Sequence, residues 1–201
     1  MGLDSRPDGR GGLVPSGIPG ASRQPPLPKM TSRLRRTARS GYLRNSRRVG
    51  RILSCQVLNE LVADSMVLYE HYRKDDFLLQ DPSDRDLHAL LDRYSGEQRQ
   101  LIELTVDRVR TLGGIATVPR QVVELTVISR PPKGAEEAPD VLSRLIEVHE
   151  RVIGRIRDAI AAIATSGDDR TRDLLKGMLR SHERQLWSLA ELLVDTTALS
   201  A

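Results

Sequence analysis

The sequence predicts an all-α protein: four long amphipathic helices around one core, a short helix in the long middle crossover, and a basic arm at the N-terminus. Three observations lead there. Aromatic residues make up only 3% of the 201-residue chain, so the core must be filled with Leu, Ile, Val and Ala, a palette that suits helices better than sheets. Apolar residues recur at spacings of three and four along four long segments, the period of a helix with one buried face. Clusters of breaking residues, Asp81-Pro82-Ser83, Gly113-Gly114 and Pro131-Pro132, separate those segments, and there the chain must turn.

The arm comes first. Residues 1–29 are rich in Gly, Pro, Ser and Arg and nearly free of periodic apolar side chains. Such a stretch cannot bury enough surface to offset chain entropy, and disorder is predicted. Residues 30–51 add eight arginines and no acid. Candidate DNA contacts there are Arg33, Arg35, Arg36, Arg39, Arg44, Arg47 and Arg48. Taken as residues 1–51, a disordered basic tail holds 12 Lys/Arg against Asp4 and Asp8, a net +10, while the remaining 19 bases and 25 acids leave −6. An acid-free basic segment neutralises phosphates and releases counterions, giving sequence-independent DNA affinity that falls with salt. Tyr42 is the one aromatic interleaved there, which argues against base stacking. A solubilising or subunit-contacting tail has the same composition, and so does an organelle transit peptide.

The body spans residues 52–195. The first helix covers 52–79, with Leu58, Leu61, Val62, Tyr69 and Tyr72 on one stripe. The second covers 84–112, with Leu87, Leu90, Leu91, Tyr94, Leu101, Leu104 and Thr105 inward, and stops at Gly113-Gly114 as helices stop at glycine. The connection over 113–138 carries an apolar piece, 121–127, between prolines, read as a short helix lying across the bundle. Asp140 is the expected N-cap of the third helix, which runs to 165 through Leu142, Leu145, Val152 and Ile156. The fourth runs from 168 to 195 through Leu175, Met178, Leu186 and Leu189, leaving 196–201 as a short tail. One long crossover in the middle distinguishes this layout from an up-down bundle with short loops only.

The second helix carries the residues with chemical potential. His88 and Asp92 are an i, i+4 pair, as are Glu103 and Asp107. With Leu87 at zero they fall at roughly 100°, 140°, 160° and 200° around the axis, one face pointing away from the core. Asp92 and Glu103 are 11 residues apart, which is ~16 Å along the helix, whereas metal–ligand bonds are near ~2 Å. The two pairs of one chain therefore cannot share a metal. An antiparallel copy about a two-fold axis near residues 97–98 would join His88 and Asp92 of one chain to Glu103 and Asp107 of the other, making two equivalent sites. Ser95 and Gly96 are small and lie beside that axis. Charged residues at this spacing also populate any solvated helix face, and spacing alone does not separate the two readings.

The stretch Leu87-His88-Ala89-Leu90-Leu91-Asp92-Arg93-Tyr94, continuing to Asp107-Arg108 and Leu112-Gly113-Gly114, resembles the second-helix signature of the Dps miniferritins. Leu58-Asn59-Glu60-Leu61-Val62-Ala63-Asp64-Ser65 is similar to that family's first-helix opening, and Gln185-Leu186-Trp187 with Leu189 to its last-helix motif. The resemblance implies a ferritin-like four-helix bundle and a closed oligomer, a dodecamer built from two-fold dimers. It also implies a ferroxidase that oxidises iron, with hydrogen peroxide as oxidant, at inter-subunit sites formed by His88, Asp92, Glu103 and Asp107. The order of acid types at the last two positions is reversed here. A hollow shell storing ferric iron and basic tails that compact and protect DNA are implied too. Members usually carry a His 12 residues before the second-helix His; this chain has Asp76, then Phe77. Asp76 can still ligate iron through oxygen, and a degenerate site on a structural DNA-compacting protein is the alternative. Acids at the start of the last helix line an iron-entry pore in the family, which points to Asp169 and Asp173. N-terminal capping and dipole complementation explain the same acids without a pore.

Other polar residues receive structural readings. No Glu-x-x-His spacing occurs, so a di-iron site inside one bundle is not indicated. His149 and His182 fall on apolar stripes and are read as hydrogen-bonded core. His71 with Asp75 is read as a surface pair, and Trp187 as core. Cys55 is the single cysteine, so no intrachain disulfide can form and a reducing cytoplasm is the simplest compartment. No apolar run approaches the ~20 residues of a membrane span.

Overall fold

The computed structural model describes residues 32–79 and 85–199, with side chains from residue 45 onward. Helix α1 spans Ser32–Leu78 and α2 spans Arg85–Thr111. A 3-10 turn, Pro119–Gln121, leads into the one-turn α3, Val122–Leu125, inside the crossover. Helices α4, Ala138–Ala162, and α5, Asp169–Leu199, complete the molecule. No strand occurs among the described residues.

The four long helices close on one core. Leu58, Leu61, Leu68, Tyr72, Leu91, Tyr94, Leu142, Leu145, Ile156, Ile163, Leu175 and Met178 are fully buried. Tyr72 and Tyr94 lock α1 to α2 with ring centroids 6.0 Å apart, and His149 and His182 lock α4 to α5 at 5.2 Å. Arg108 of α2 binds Asp168 and Thr171 at the start of α5. Asp168 also accepts the Thr171 amide at 3.1 Å, the geometry of an N-cap. Gly113 takes φ +79 and donates to the Arg110 carbonyl, ending α2 in the left-handed turn glycine favours. Gly114 must stay glycine for a different reason: a Cβ there would sit 2.7 Å from Cys55 Sγ.

Two buried clusters fasten the crossover along the bundle. Asp64 of α1 accepts the Val127 amide at 2.9 Å and the Thr126 hydroxyl at 2.8 Å, and Arg155 of α4 donates to the Leu125 carbonyl at 2.8 Å. Farther along, Arg144 of α4 holds Asp75 of α1 at 2.9 Å and Glu136 at 2.8 Å, Lys74 reaches Glu136 at 2.6 Å, and His71 donates to the Ser129 carbonyl at 2.8 Å. Burial raises the Asp64 carboxyl above its usual range against the lowering pull of these donors.

The structure departs from the sequence expectations at several points along the helices. Helix α1 begins at Ser32, not at 52, so residues 32–51 are not disordered. They hold no proline, and Arg, Ala and Leu are good helix formers. Gly50 is buried, and a Cβ on it would lie 3.0 Å from the Ser166 carbonyl oxygen, so the body begins before residue 52. Helix α4 starts at Ala138 with Glu137 as N-cap, which moves Asp140 into the first turn. Helix α5 continues to Leu199, where Thr196 and Thr197 hydroxyls return to the Leu192 and Leu193 carbonyls. Trp187 is 71% exposed, because two residues past buried Gln185 the helix has turned by roughly 200°. His71 and Asp75 are buried, not superficial; their partners, Arg144 and Ser129, are too distant in sequence for local spacing to reveal.

By length and composition the segment Asn45–Leu78 could cross a membrane, yet 56% of its most apolar window is buried inside the bundle. It also carries buried Asp64 and Asp75 in ion pairs, as a core helix can and a lipid-facing one cannot.

Candidate metal site

The last turn of α1 meets the first turn of α2, and this junction brings Asp76 and His88 together. Asp76 Oδ1 lies 3.2 Å from His88 Nδ1. With that nitrogen donating to the carboxylate, Nε2 keeps its lone pair free for a metal, the arrangement by which carboxylates orient ligating histidines. Asp92 stands one turn farther along α2 with its side chain 78% exposed. Arg73, one turn before Asp76, lies 3.4 Å from Asp76 and 3.9 Å from Asp92. A guanidinium thus holds the place between the two carboxylates that a cation would favour.

Glu103 and Asp107 lie farther along the exposed face of α2. Both are exposed, and Asp107 pairs only loosely with Arg110 at 3.4 Å. They do not join Asp76, His88 or Asp92. No cluster of three or more His, Cys, Asp or Glu able to hold a metal forms among the described residues of a single chain. What one chain presents is two separate groups: Asp76, His88 and Asp92, and, roughly three to four turns from Asp92 along α2, Glu103 and Asp107. Gly96 sits between them, with nothing within 4 Å of an added Cβ. Ser95, by contrast, is buried and its hydroxyl returns to the Asp92 carbonyl at 2.8 Å, so it takes no part in that face. Leu104 of α2, expected inward, is instead 56% exposed, and Phe77 of α1 is exposed nearby.

The interior of the bundle is polar at its middle. The Tyr72 hydroxyl lies 2.6 Å from His149 Nε2, and His149 Nδ1 lies 3.2 Å from His182 Nδ1. All three are fully buried. Burial pushes the Tyr72 phenol well above its usual range and holds His149 well below it, His182 adding to the latter, while burial brings His182 down to about 4. Gln98 and Gln185 are buried at the same stripes. The sequence reading of both histidines as hydrogen-bonded core agrees with this, but it missed Arg73 and Gln98 and named Gln185 only as part of a motif. Gln98 was findable: it sits four residues after Tyr94 and seven before Thr105, on the buried stripe.

Asp169 pairs with Arg172 three residues on, and Asp173 is exposed. Arg47 and Arg48 are exposed on α1. The side chains of Arg33, Arg35, Arg36, Arg39 and Arg44 lie outside the described ones.

The Ferritin-like domain family model matches residues 55–199. DpsC from Streptomyces coelicolor superposes with a TM-score of 0.69 at 45% identity, covering 72% of this chain and 85% of that one. The chain belongs to the Dps branch of the ferritin-like family. Curated Dps relatives are more distant. The nutrient stress-induced DNA-binding protein of Synechococcus is 26% identical over 140 residues, 69% of this chain and 80% of its own. The DNA protection during starvation protein 2 of Bacillus anthracis is 25% identical over 136 residues, 67% of this chain and 92% of its own. In this chain Asp76 stands beside His88, and Arg73 lies between Asp76 and Asp92.

Proposed function

We propose that this Dps chain binds and oxidises Fe(II) at sites shared between two copies. Each site takes Asp76, His88 and Asp92 from one chain and Glu103 and Asp107 from the other. Fe(II) is the substrate, and the ferric product is stored inside a closed shell of twelve subunits. The observation that carries this reading is the 3.2 Å approach of Asp76 to His88 across two helices, with matching carboxylates displayed outward on the same α2 face. Carboxylate oxygen and imidazole nitrogen are an apt donor set for Fe(II). Hydrogen peroxide is the oxidant proposed, two Fe(II) supplying the two electrons that reduce it. Asp169 and Asp173 are proposed to line the entry pore. The arginines before the body, Arg33 to Arg48, are proposed to bind DNA through phosphates in the bacterial cytoplasm or nucleoid.

Mixing variants tests the shared site. His88→Ala and Asp107→Ala should each slow Fe(II) oxidation by an order of magnitude or more with helical content unchanged. Reassembling the two variants together places both lesions in one site of a mixed dimer and leaves its other site whole. Partial recovery of activity is expected; no recovery, or unchanged rates in the single variants, refutes the arrangement.

Arg73 favours a second reading. Its guanidinium already bridges Asp76 and Asp92, as in a DNA-compacting shell protein whose iron site has degenerated. Iron-stimulated peroxide consumption by the intact protein separates the two.

A further inference from the structure

Four polar atoms deep in the bundle lack a hydrogen-bond partner: Nε2 and Oε1 of Gln98, Oε1 of Gln185 and Nε2 of His182. All three residues are fully buried. Contacts between α2 and α5 fix their relative height. Gln185 Nε2 donates to Glu97 Oε2 at 2.9 Å, and the Thr105 hydroxyl lies 3.7 Å from Met178 Sδ. Gln98 follows Glu97 directly, and His182 lies one turn before Gln185. The three side chains therefore start within about one helical turn of each other in height, on two facing helices.

We propose that this level is a built site for ordered internal water, one molecule or a hydrogen-bonded pair, held between Gln98 of α2 and His182 and Gln185 of α5. Unpaired buried amides cost heavily, and native cores rarely tolerate them. The guest must both accept and donate, because the site offers N–H and C=O groups together. The hydrogen-bond line leading to it fixes the polarity. Among the described residues the Tyr72 hydroxyl reaches no acceptor but His149 Nε2, so it donates there. His149 Nδ1–H then donates to His182 Nδ1, which leaves His182 Nε2–H pointing a proton onward. Water accepts it and donates to an amide oxygen, gaining the two to four polar partners a buried water requires.

A cation does not suit the same place. Glu97, at its rim, is already held by Gln185 at 2.9 Å and by Arg184 at 3.0 Å, and no other carboxylate contacts Gln98, His182 or Gln185 among the described residues. Burial keeps both imidazoles neutral. The line Tyr72, His149, His182, water, Gln98 touches all four long helices and ties their heights together.

Two measurements on the intact assembly decide it. High-resolution diffraction should show ordered density within hydrogen-bond distance of His182 Nε2 and Gln185 Oε1. Gln98→Met, which keeps the side chain's length and removes both polar atoms, should lower Tm by a few degrees and leave Fe(II) oxidation unchanged. Where nothing is bound, the same change removes an unsatisfied amide and leaves Tm level or higher. Absent density, or a Tm equal to or above wild type, overturns the proposal; the first applies even where the variant does not fold.

Discussion

Arg73 sits where the metal reading is most exposed to test. Its guanidinium lies between Asp76 and Asp92, and its side chain is 49% exposed, so it can leave when a cation arrives. An exposed ion pair of this kind is worth about 0.2–1 kcal/mol, so Arg73→Gln should tighten Fe(II) binding by roughly 1.4- to fivefold. Anaerobic titration calorimetry reads this directly. Weaker binding in the variant would mean that Arg73 positions the carboxylates instead of competing for them. At this scale the sequence was partly legible. The α2 face was readable because i, i+4 spacing is local. Arg73 was not, because its neighbour Asp92 belongs to another helix. The buried stripe of α2 is centred on Leu87, Leu91, Gln98 and Thr105, so it is rotated from an apolar-only reading. Hydropathy alone cannot find a core that includes amides.

Among the elements, α4 acts as the fastener. Arg144 faces Asp75, whose side chain is wholly buried. Stranding a buried charge costs about 3–5 kcal/mol, and Lys74, 3.2 Å from Asp75, offsets part of that loss here. Arg144→Met should therefore lower unfolding stability in urea by less than that full cost, and adding Asp75→Asn should restore part of it. Equal stability of Arg144→Met and wild type would show the pair to be dispensable. Helix number, order and the short crossover helix were legible from periodicity and breakers. The start of α1 was not, because charge density marks a polyanion-binding arm equally well whether it is coiled or helical. Nor was the outward Trp187, since a bulky ring alone does not reveal which face it takes.

For the whole molecule, acidity and charge distribution give two expectations. The ordinary imidazole value is 6.5, and His182 is held at about 4 with His149 also lowered. Between those values the unfolded chain binds protons that the folded chain refuses. Stability is therefore full above about 6.5 and is lost as pH falls toward 4, by on the order of 3 kcal/mol for His182. Asp64, raised by burial, works in the opposite sense at the acid end. Thermal melts across this range should fall with pH, and a flat profile would contradict the buried neutral pair. The second expectation concerns DNA. Removing residues 1–44 takes away most of the arm's charge while sparing Gly50 and its contact with Ser166. Affinity in gel shifts should drop, and the salt dependence should flatten. Unchanged affinity would assign the arginines to another partner. The net +10 and −6 halves were plain from composition, whereas the neutral histidine pair was readable only as a placement on apolar stripes.

The fastening of the crossover has a consequence for how the chain can be rebuilt. Its anchors lie on both sides of a short exposed stretch around Lys133 and Gly134: Leu125, Thr126, Val127 and Ser129 before it, Glu136 after it. A backbone break there severs no buried hydrogen bond. The α1–α2 and α4–α5 hairpins could then be made as two polypeptides and recombined, or the termini moved to the crossover, with the ion clusters reuniting the halves.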